Sequence, residues 1–344
     1  MKVRSKAPLR IGLAGGGTDV SPYSDTYGGC VLSVTINMFA YTTIETRDDG
    51  LVCFTASDID KTFTHHACDN IPIEGDLILH KAIYNRIVRD FNRNQPLPIS
   101  INTHSDAVPG SGLGSSSTMV VSILSAFREL LTLPLGEYDL AYLAYQIERV
   151  DCQLSGGKQD QYAATFGGFN FMEFYKDDRV LVNPLRIRRA IENELQSQLL
   201  LYFTGISRDS GKIIEDQIKA SNDSSETGKE SLAALHQVKE IAYSMKEYLL
   251  KSDINSMADV LADSWQAKKS TSKSISNPHI EEIAELALTN GAKSLKLSGA
   301  GGGGFMIMFV EPTKKLHLSN LLAKQDGIVS NFQFTSTGEE SWIV

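Results

Sequence analysis

The chain has 344 residues, long for a single hydrophobic core, so two domains are expected. Hydrophobic residues make up 42% and charged residues 22%, the balance of an ordinary folded protein. The net charge of −8 argues against nucleic acid or an anionic membrane as the main partner, while leaving room for a local basic pocket. The basic start Met1–Pro8 has no uninterrupted apolar run after it, so no signal peptide is expected. No apolar stretch approaches the roughly 18 residues of a membrane span. The four cysteines, Cys30, Cys53, Cys68 and Cys152, lack C-x-x-C spacing and read as free thiols in a reducing cytoplasm.

In chain order, residues 2–14 read as a strand and Gly15-Gly16-Gly17-Thr18-Asp19 as a tight polar loop. Residues 31–36, 40–46 and 51–55 read as strands, 78–91 as a helix and 99–103 as a strand. Then comes Val108-Pro109-Gly110-Ser111-Gly112-Leu113-Gly114-Ser115-Ser116-Ser117-Thr118, followed by apolar residues at helical spacing from Met119 to Leu131. A second helix spans 137–150, Phe166-Gly167-Gly168-Phe169 opens a hairpin-like stretch through Leu185, and 199–203 reads as a strand. The Ser-rich segment 219–229 reads as a mobile loop, and 230–251, 253–270 and 278–290 as helices. Strands 292–297 and 305–310 flank Gly299–Gly304, and 331–336 and 341–344 read as closing strands. The change in character between 180 and 200 places the domain join there, giving domains 1–190 and 191–344.

A glycine loop that opens a helix presents unpaired backbone N–H groups and the positive end of the helix dipole, which suits a phosphate. A glycine turn with a serine N-cap would need no ligand. This loop is not a Walker A sequence, since no Gly-Lys-Ser/Thr follows, and its glycines at 110, 112 and 114 are wrongly spaced for a dinucleotide fingerprint. The second glycine run, Lys296-Leu297-Ser298-Gly299-Ala300-Gly301-Gly302-Gly303-Gly304-Phe305, lies between two apolar strands, where a flexible linker is rarely found.

Together with Ala7-Pro8-Leu9-Arg10-Ile11-Gly12-Leu13 and the Thr18-Asp19 loop, these motifs resemble, in order, the three motifs of the GHMP kinases. The resemblance covers most of the chain. It implies an α+β fold, with a ribosomal S5 domain 2-like N-terminal half, a ferredoxin-like C-terminal half and the active site between them. It implies ATP and Mg²⁺, with Gly110, Ser111, Gly112, Leu113, Gly114, Ser115, Ser116 and Ser117 on the ATP phosphates and Ser116 and Glu148 on the metal. Asp160 would be the catalytic base or an orienting group, with Arg10 near the transferred phosphoryl.

In galactokinase-like members the first loop carries Gly-Glu-His-x-Asp, whereas glycines replace Glu and His here. The Gly-Gly-x-Thr-Asp form is similar to that of fucokinases and of D-glycero-D-manno-heptose 7-phosphate kinases. That implies a kinase acting on the anomeric hydroxyl of the heptose 7-phosphate, on the path to GDP-heptose. A fucokinase-like enzyme for a free sugar and a non-catalytic ATP and sugar sensor are the alternatives. Gly16, Gly17, Thr18, Asp19, Gly301 and Gly302 would line the sugar site. A distal phosphate needs its own cations, and Arg208 and Lys212 are placed there, with Trp265–Ser270 as a second basic candidate and the ordinary charge of a helix end an equal reading of both. The sugar, the adenine pocket and the choice between monomer and homodimer stay open.

Overall fold

The computed structural model describes residues 1–207, 210–223 and 225–344. Its strands are β1 (Lys2–Ala14), β2 (Gly29–Thr46), β3 (Leu51–Ala56), β4 (Lys61–His66), β5 (Ile99–Ser105), β6 (Phe169–Phe174), β7 (Val180–Pro184), β8 (Leu199–Phe203), β9 (Ala292–Leu297), β10 (Phe305–Val310), β11 (Ile328–Ser330) and β12 (Glu340–Ile343). Its helices are α1 (Tyr23–Tyr27), α2 (Ile78–Phe91), α3 (Ser115–Leu131), α4 (Glu137–Gln146), α5 (Gln159–Phe166), α6 (Arg189–Gln198), α7 (Ser210–Asn222), α8 (Glu226–Lys251), α9 (Ile254–Thr271), α10 (Pro278–Thr289) and α11 (Pro312–Leu322).

Two sheets organise the chain. The first has the order β12-β1-β2-β5-β3-β4, with β6 on the far end of β2 and β7 on β6; only β3 and β5 run parallel. The second is antiparallel, in the order β11-β8-β10-β9. The chain leaves the first sheet after β7 and enters the second at β8, and its last strand returns to the first sheet beside β1.

The inward residues Leu9, Ile11 and Leu13 of β1 and Leu32, Val34 and Ile36 of β2 pack against Leu199, Leu201, Ile307 and Phe309 of the second sheet and against α8 and α9. The opposite face of the first sheet is covered by α2, α3 and α4, and that of the second by α10 and α11. Each fully buried side chain of this size contributes about 1.5–3 kcal/mol, so the seam between the sheets is itself a core.

Several local expectations change. The two strands expected at 31–36 and 40–46 are one, β2, which stays paired with β1 across an irregularity of its own: Pro8 faces Phe39 and Arg10 faces Thr35, so the extra residues lie in β2. The described residues of 219–229 are not one loop. They end α7 and begin α8, whose N-cap Ser225 accepts from the Gly228 amide, and their polar character marks exposed helix faces. Segment 331–336 makes a single bridge, Ile36 to Phe334, rather than a strand. α11 and β4 carry too weak an apolar pattern to be read from sequence, and α6 is a short, polar helix that buries only Leu195.

The two glycine loops meet in this fold. The Phe305 amide donates to Ser111 O at 2.7 Å. A Cβ on Gly112 would lie 2.5 Å from Ser298 O, and one on Gly304 would lie 2.3 Å from Ser111 O; both residues have left-handed φ, +82° and +88°. Gly304→Ala therefore combines a backbone clash with conformational strain. It should cost about 2–4 kcal/mol of unfolding free energy, read as a lower urea midpoint at unchanged m-value. An unchanged midpoint would show that the loops are not packed this way.

Candidate active site

A cleft of about 510 Å³ lies where β1, the start of α3, α5, α9 and the 298–304 loop converge. Gly110, Gly112 and Gly114 all have left-handed φ, which turns the chain sharply into α3. The Thr118 amide bonds Gly114 O at 2.9 Å, so the amides of Ser115, Ser116 and Ser117 precede it at the open end of the helix, facing the cleft.

Arg10, 3% exposed, is the hub. Its Nε donates to Asp160 Oδ1 at 2.6 Å, its Nη1 donates to Gly112 O at 2.6 Å and to Ser298 Oγ at 3.3 Å, and its own amide donates to Leu113 O at 3.1 Å. Its Nη2 pairs with the same Asp160 oxygen at 2.6 Å, leaving Oδ2 without a protein donor among the described residues. Gly114 stands against Asp160, where a Cβ would come within 3.0 Å of the carboxyl carbon.

Glu148 is not a solvated helix charge. The helix beyond Gln146 widens into a π turn over Ile147–Asp151, a distortion often found at functional sites, and Glu148 is 2% exposed inside it. Its carboxylate accepts from Ser116 Oγ at 2.8 Å, Ser117 Oγ at 2.6 Å and Gln161 Nε2 at 2.7 Å, with Arg149 3.4 Å away. Lys158 pairs instead with Asp178 at 2.6 Å.

Asp19 is fully buried and held by the Gly17 amide, the Gln159 amide and Gln159 Nε2 at 3.1, 3.1 and 2.9 Å, yet it borders the cleft. Gly17 borders it too. Gly16 lies behind, close to Gln159 and to the Lys268 amine. Thr18 does not face the cleft: its hydroxyl bonds Gly15 O and Cys30 O and staples the loop to β2.

Gly301 and Gly302 are likewise turned away, against Ile275 and Asn277, and it is Gly299 and Ala300 that line the cleft. Ser111 and Leu113 are buried beneath the phosphate loop. Lys212 is exposed and outside the cleft lining, and Arg208 lies outside the described residues.

Gln159, Arg149 and Lys268 are among the cleft residues that the sequence left unassigned or undecided, and Ser298, fully buried outside the lining, bonds Arg10. Nothing in the pattern marks Gln159 or Ser298. Lys268 and Lys269 are adjacent cations, and only packing separates them: Lys269 pairs with exposed Glu281 at 3.2 Å, while Lys268 is 4% exposed and donates to Gly299 O. Burial, helped by the nearby Arg10 charge, pushes the Lys268 ammonium down to about 8, against the pull of Asp19 and Asp160.

A second hollow, about 230 Å³, adjoins the cleft at Pro109, Ser115 and Ser116 and is walled mainly by Ala56, Ile59, Leu77, Leu79, His80 and Met119.

Residues 78–168 match the GHMP kinases N terminal domain and residues 245–318 the GHMP kinases C terminal region. A D-glycero-alpha-D-manno-heptose 7-phosphate kinase of Campylobacter jejuni is 48% identical over 99% of this chain and 98% of its own. The chain belongs to the GHMP kinases. ATP is the phosphoryl donor of these enzymes. The crystal structure of a D-glycero-D-manno-heptose 1-phosphate kinase from Bacteriodes thetaiotaomicron superposes on this GHMP kinase with a TM-score of 0.84 at 44% identity, covering 99% of both chains. The plant bifunctional fucokinase/GDP-fucose pyrophosphorylase of Arabidopsis thaliana is 22% identical over 91% of this chain and 30% of its own. Among the described residues, no helix is long and apolar enough to cross a membrane.

Burial pushes the His80 imidazole down to about 4 from its ordinary 6.5, so it folds neutral with Nε2 2.9 Å from Thr103 Oγ1. Stability from this residue is complete above pH 6.5 and is lost as pH falls towards 4, because the unfolded chain takes up a proton that the folded one refuses. The loss amounts to roughly 2–3 kcal/mol, and His80→Gln should flatten that part of the stability–pH curve. An equally steep curve in the variant would assign the slope elsewhere.

Proposed function

We propose that this GHMP kinase transfers the γ-phosphoryl group of ATP to the anomeric hydroxyl of D-glycero-D-manno-heptose 7-phosphate, giving the 1,7-bisphosphate. The observation that carries the reading is the 48% identity, over essentially the whole chain, to a kinase named for that sugar. The more distant fucokinase match keeps a free sugar as the alternative acceptor. Arg10, Arg149 and Lys268 line the cleft wall, which suits phosphate groups. We assign residues 1–190 to the phosphate loop and ATP half and 191–344 to the second half, with β12 reaching back to the first sheet.

The triphosphate lies on the amides of Ser115–Ser117, and the nucleoside extends into the apolar hollow beside Pro109 and Met119. Ser116 Oγ and the Glu148 carboxylate fit Mg²⁺, a hard ion that takes few protein oxygens and completes its shell with water and phosphate. A buried carboxylate whose hydrogen-bond donors are neutral, with a single arginine 3.4 Å away, leaves negative charge for such an ion to use. When bound, magnesium would neutralise charge on the triphosphate.

Asp19 accepts from sugar hydroxyls, held rigid by Gln159. Asp160 Oδ2 orients the attacking hydroxyl and takes its proton, while Arg10 fixes Asp160 through Oδ1 and faces the moving phosphoryl. The sensor alternative leaves the Arg10–Asp160 pair at the cleft without a task.

ADP release over heptose 7-phosphate, mannose, mannose 6-phosphate, fucose and galactose, with phosphorus NMR of any product, tests the substrate. A new anomeric phosphate on the heptose alone is expected, and turnover of fucose alone would replace the reading. Asp160→Asn should lower kcat by about 10²–10⁴-fold with ATP affinity nearly unchanged; full activity would remove Asp160 from the chemistry. Glu148→Gln should raise the magnesium concentration for half-maximal rate by about 10–100-fold. An unaltered requirement would place the metal elsewhere.

A further inference from the structure

We propose that Lys268 is a catalytic residue of this kinase: its ammonium group reaches from α9 into the cleft and donates to the transferring phosphoryl group alongside Arg10. The inference rests on the kinase reading above.

Lys268 is in the last turn of α9, at the negative end of the helix dipole, which favours a cation there. The helix sets it rigidly: Thr271 Oγ1 bonds Lys268 O at 2.7 Å and also accepts from Gln217 of α7 at 2.8 Å. The amine donates to Gly299 O, in the very loop whose backbone touches Gly112. An ammonium has three donors, and no other protein acceptor meets this one among the described residues. Lys268 borders the cleft, where the oxygens of a bound phosphoryl group can meet the remaining donors.

The charged groups that act on it come from every surrounding element: Arg10 of β1, Asp19 of the first loop, Asp160 of α5 and Lys296 of β9. Arg10 and Asp160 mark the place of transfer; Lys268 borders the same cleft, and Gly299, whose carbonyl it bonds, packs on Gly112, whose carbonyl Arg10 bonds, so its open donors are directed to the reacting atoms and not to a remote end of the sugar.

In the transfer, the bond from the anomeric oxygen to the γ-phosphorus forms as the bond from that phosphorus to the β–γ bridging oxygen breaks. ADP leaves with the electron pair, and the hydroxyl proton passes to Asp160 and then to solvent. Charge moves across the phosphoryl oxygens and the bridging oxygen, where preorganised donors stabilise the transition state most. Four of the five N–H donors of Arg10 go to Asp160, Gly112 and Ser298, which leaves one for the phosphoryl group; Lys268 supplies further ones.

The test uses full-length wild type, Lys268→Met and Lys268→Ala, with heptose 7-phosphate or whichever panel sugar the wild type phosphorylates. Lys268→Met should lower kcat by about 10²–10³-fold while the ATP dissociation constant changes less than about threefold. Wild-type kcat/KM should fall above about pH 8, where the free enzyme's amine loses its proton, and the residual rate of Lys268→Met should lack that limb. Ethylammonium should restore part of the Lys268→Ala rate.

Turnover of Lys268→Met within about fivefold of wild type overturns the proposal. So does a slow variant that keeps the alkaline limb and is not rescued by the amine, which makes Lys268 structural. If the wild type acts on another sugar only, the heptose reading falls and the lysine test proceeds on that sugar. Silence on every sugar with ATP bound overturns both.

Discussion

The site depends on one guanidinium. Arg10 leaves β1 of the first sheet and bonds the carbonyl of Gly112 in one glycine loop and the hydroxyl of Ser298 at the root of the other, while holding Asp160 of α5. The loops can meet only because they lack side chains where they touch: a Cβ on Gly112, Gly299 or Gly304 would run into backbone. Glycine supplies the approach and arginine the bonds that fix it. A lysine at position 10 would keep the charge but could not fork to three partners in fixed geometry. The arrangement couples the packing of the two sheets to the shape of the anion cradle, since β1 and β10 share one core and carry opposite sides of that contact.

That coupling explains why buried ionisable groups collect at the seam. Lys296 is buried between β1 and α9, donating to Leu13 O at 3.3 Å and Ser264 Oγ at 3.4 Å, and burial holds its amine well below the ordinary lysine range. Lys268 lies on the same seam, close enough to be felt by Arg10 and by Lys296. Burial first, and then the charges beside them, make the Lys268 and Lys296 amines easier to deprotonate than an ordinary lysine, while Asp19 and Asp160 pull the Lys268 amine the other way.

Much of this was legible in the residues, for physical reasons. Glycine runs between apolar strands, a serine run opening an amphipathic helix and a P-x-R strand are local patterns, and each appears where the pattern placed it. Glu148 was legible as a residue but not as a buried one, because a π turn is not encoded by any spacing and depends on packing with α3 and α5. Thr18, Gly301 and Gly302 share the motifs' stretches of sequence but face inward: a motif names a stretch, whereas tertiary packing decides which of its atoms see the cleft. Lys268 and Lys269 could not be told apart for the same reason, since one helical step separates a buried amine from an exposed ion pair.

Among the described residues, the charged side chains lining the cleft are Arg10, Arg149 and Lys268 against Asp19, Glu148 and Asp160, so their formal charges cancel. A cleft of zero net charge in a chain of net charge −8 cannot gather a polyanion by long-range attraction. Recognition must be short-ranged, through helix amides that hold phosphate without a counter-charge and through paired groups whose partners are already fixed. Fixed donors cost no reorganisation when charge shifts, so they act more strongly on a moving phosphoryl group than on the resting triphosphate. On the proposed reading, the carboxylates prevent a merely tight anion trap, and the ordered cations beside Asp160 direct the remaining interaction to the transition state.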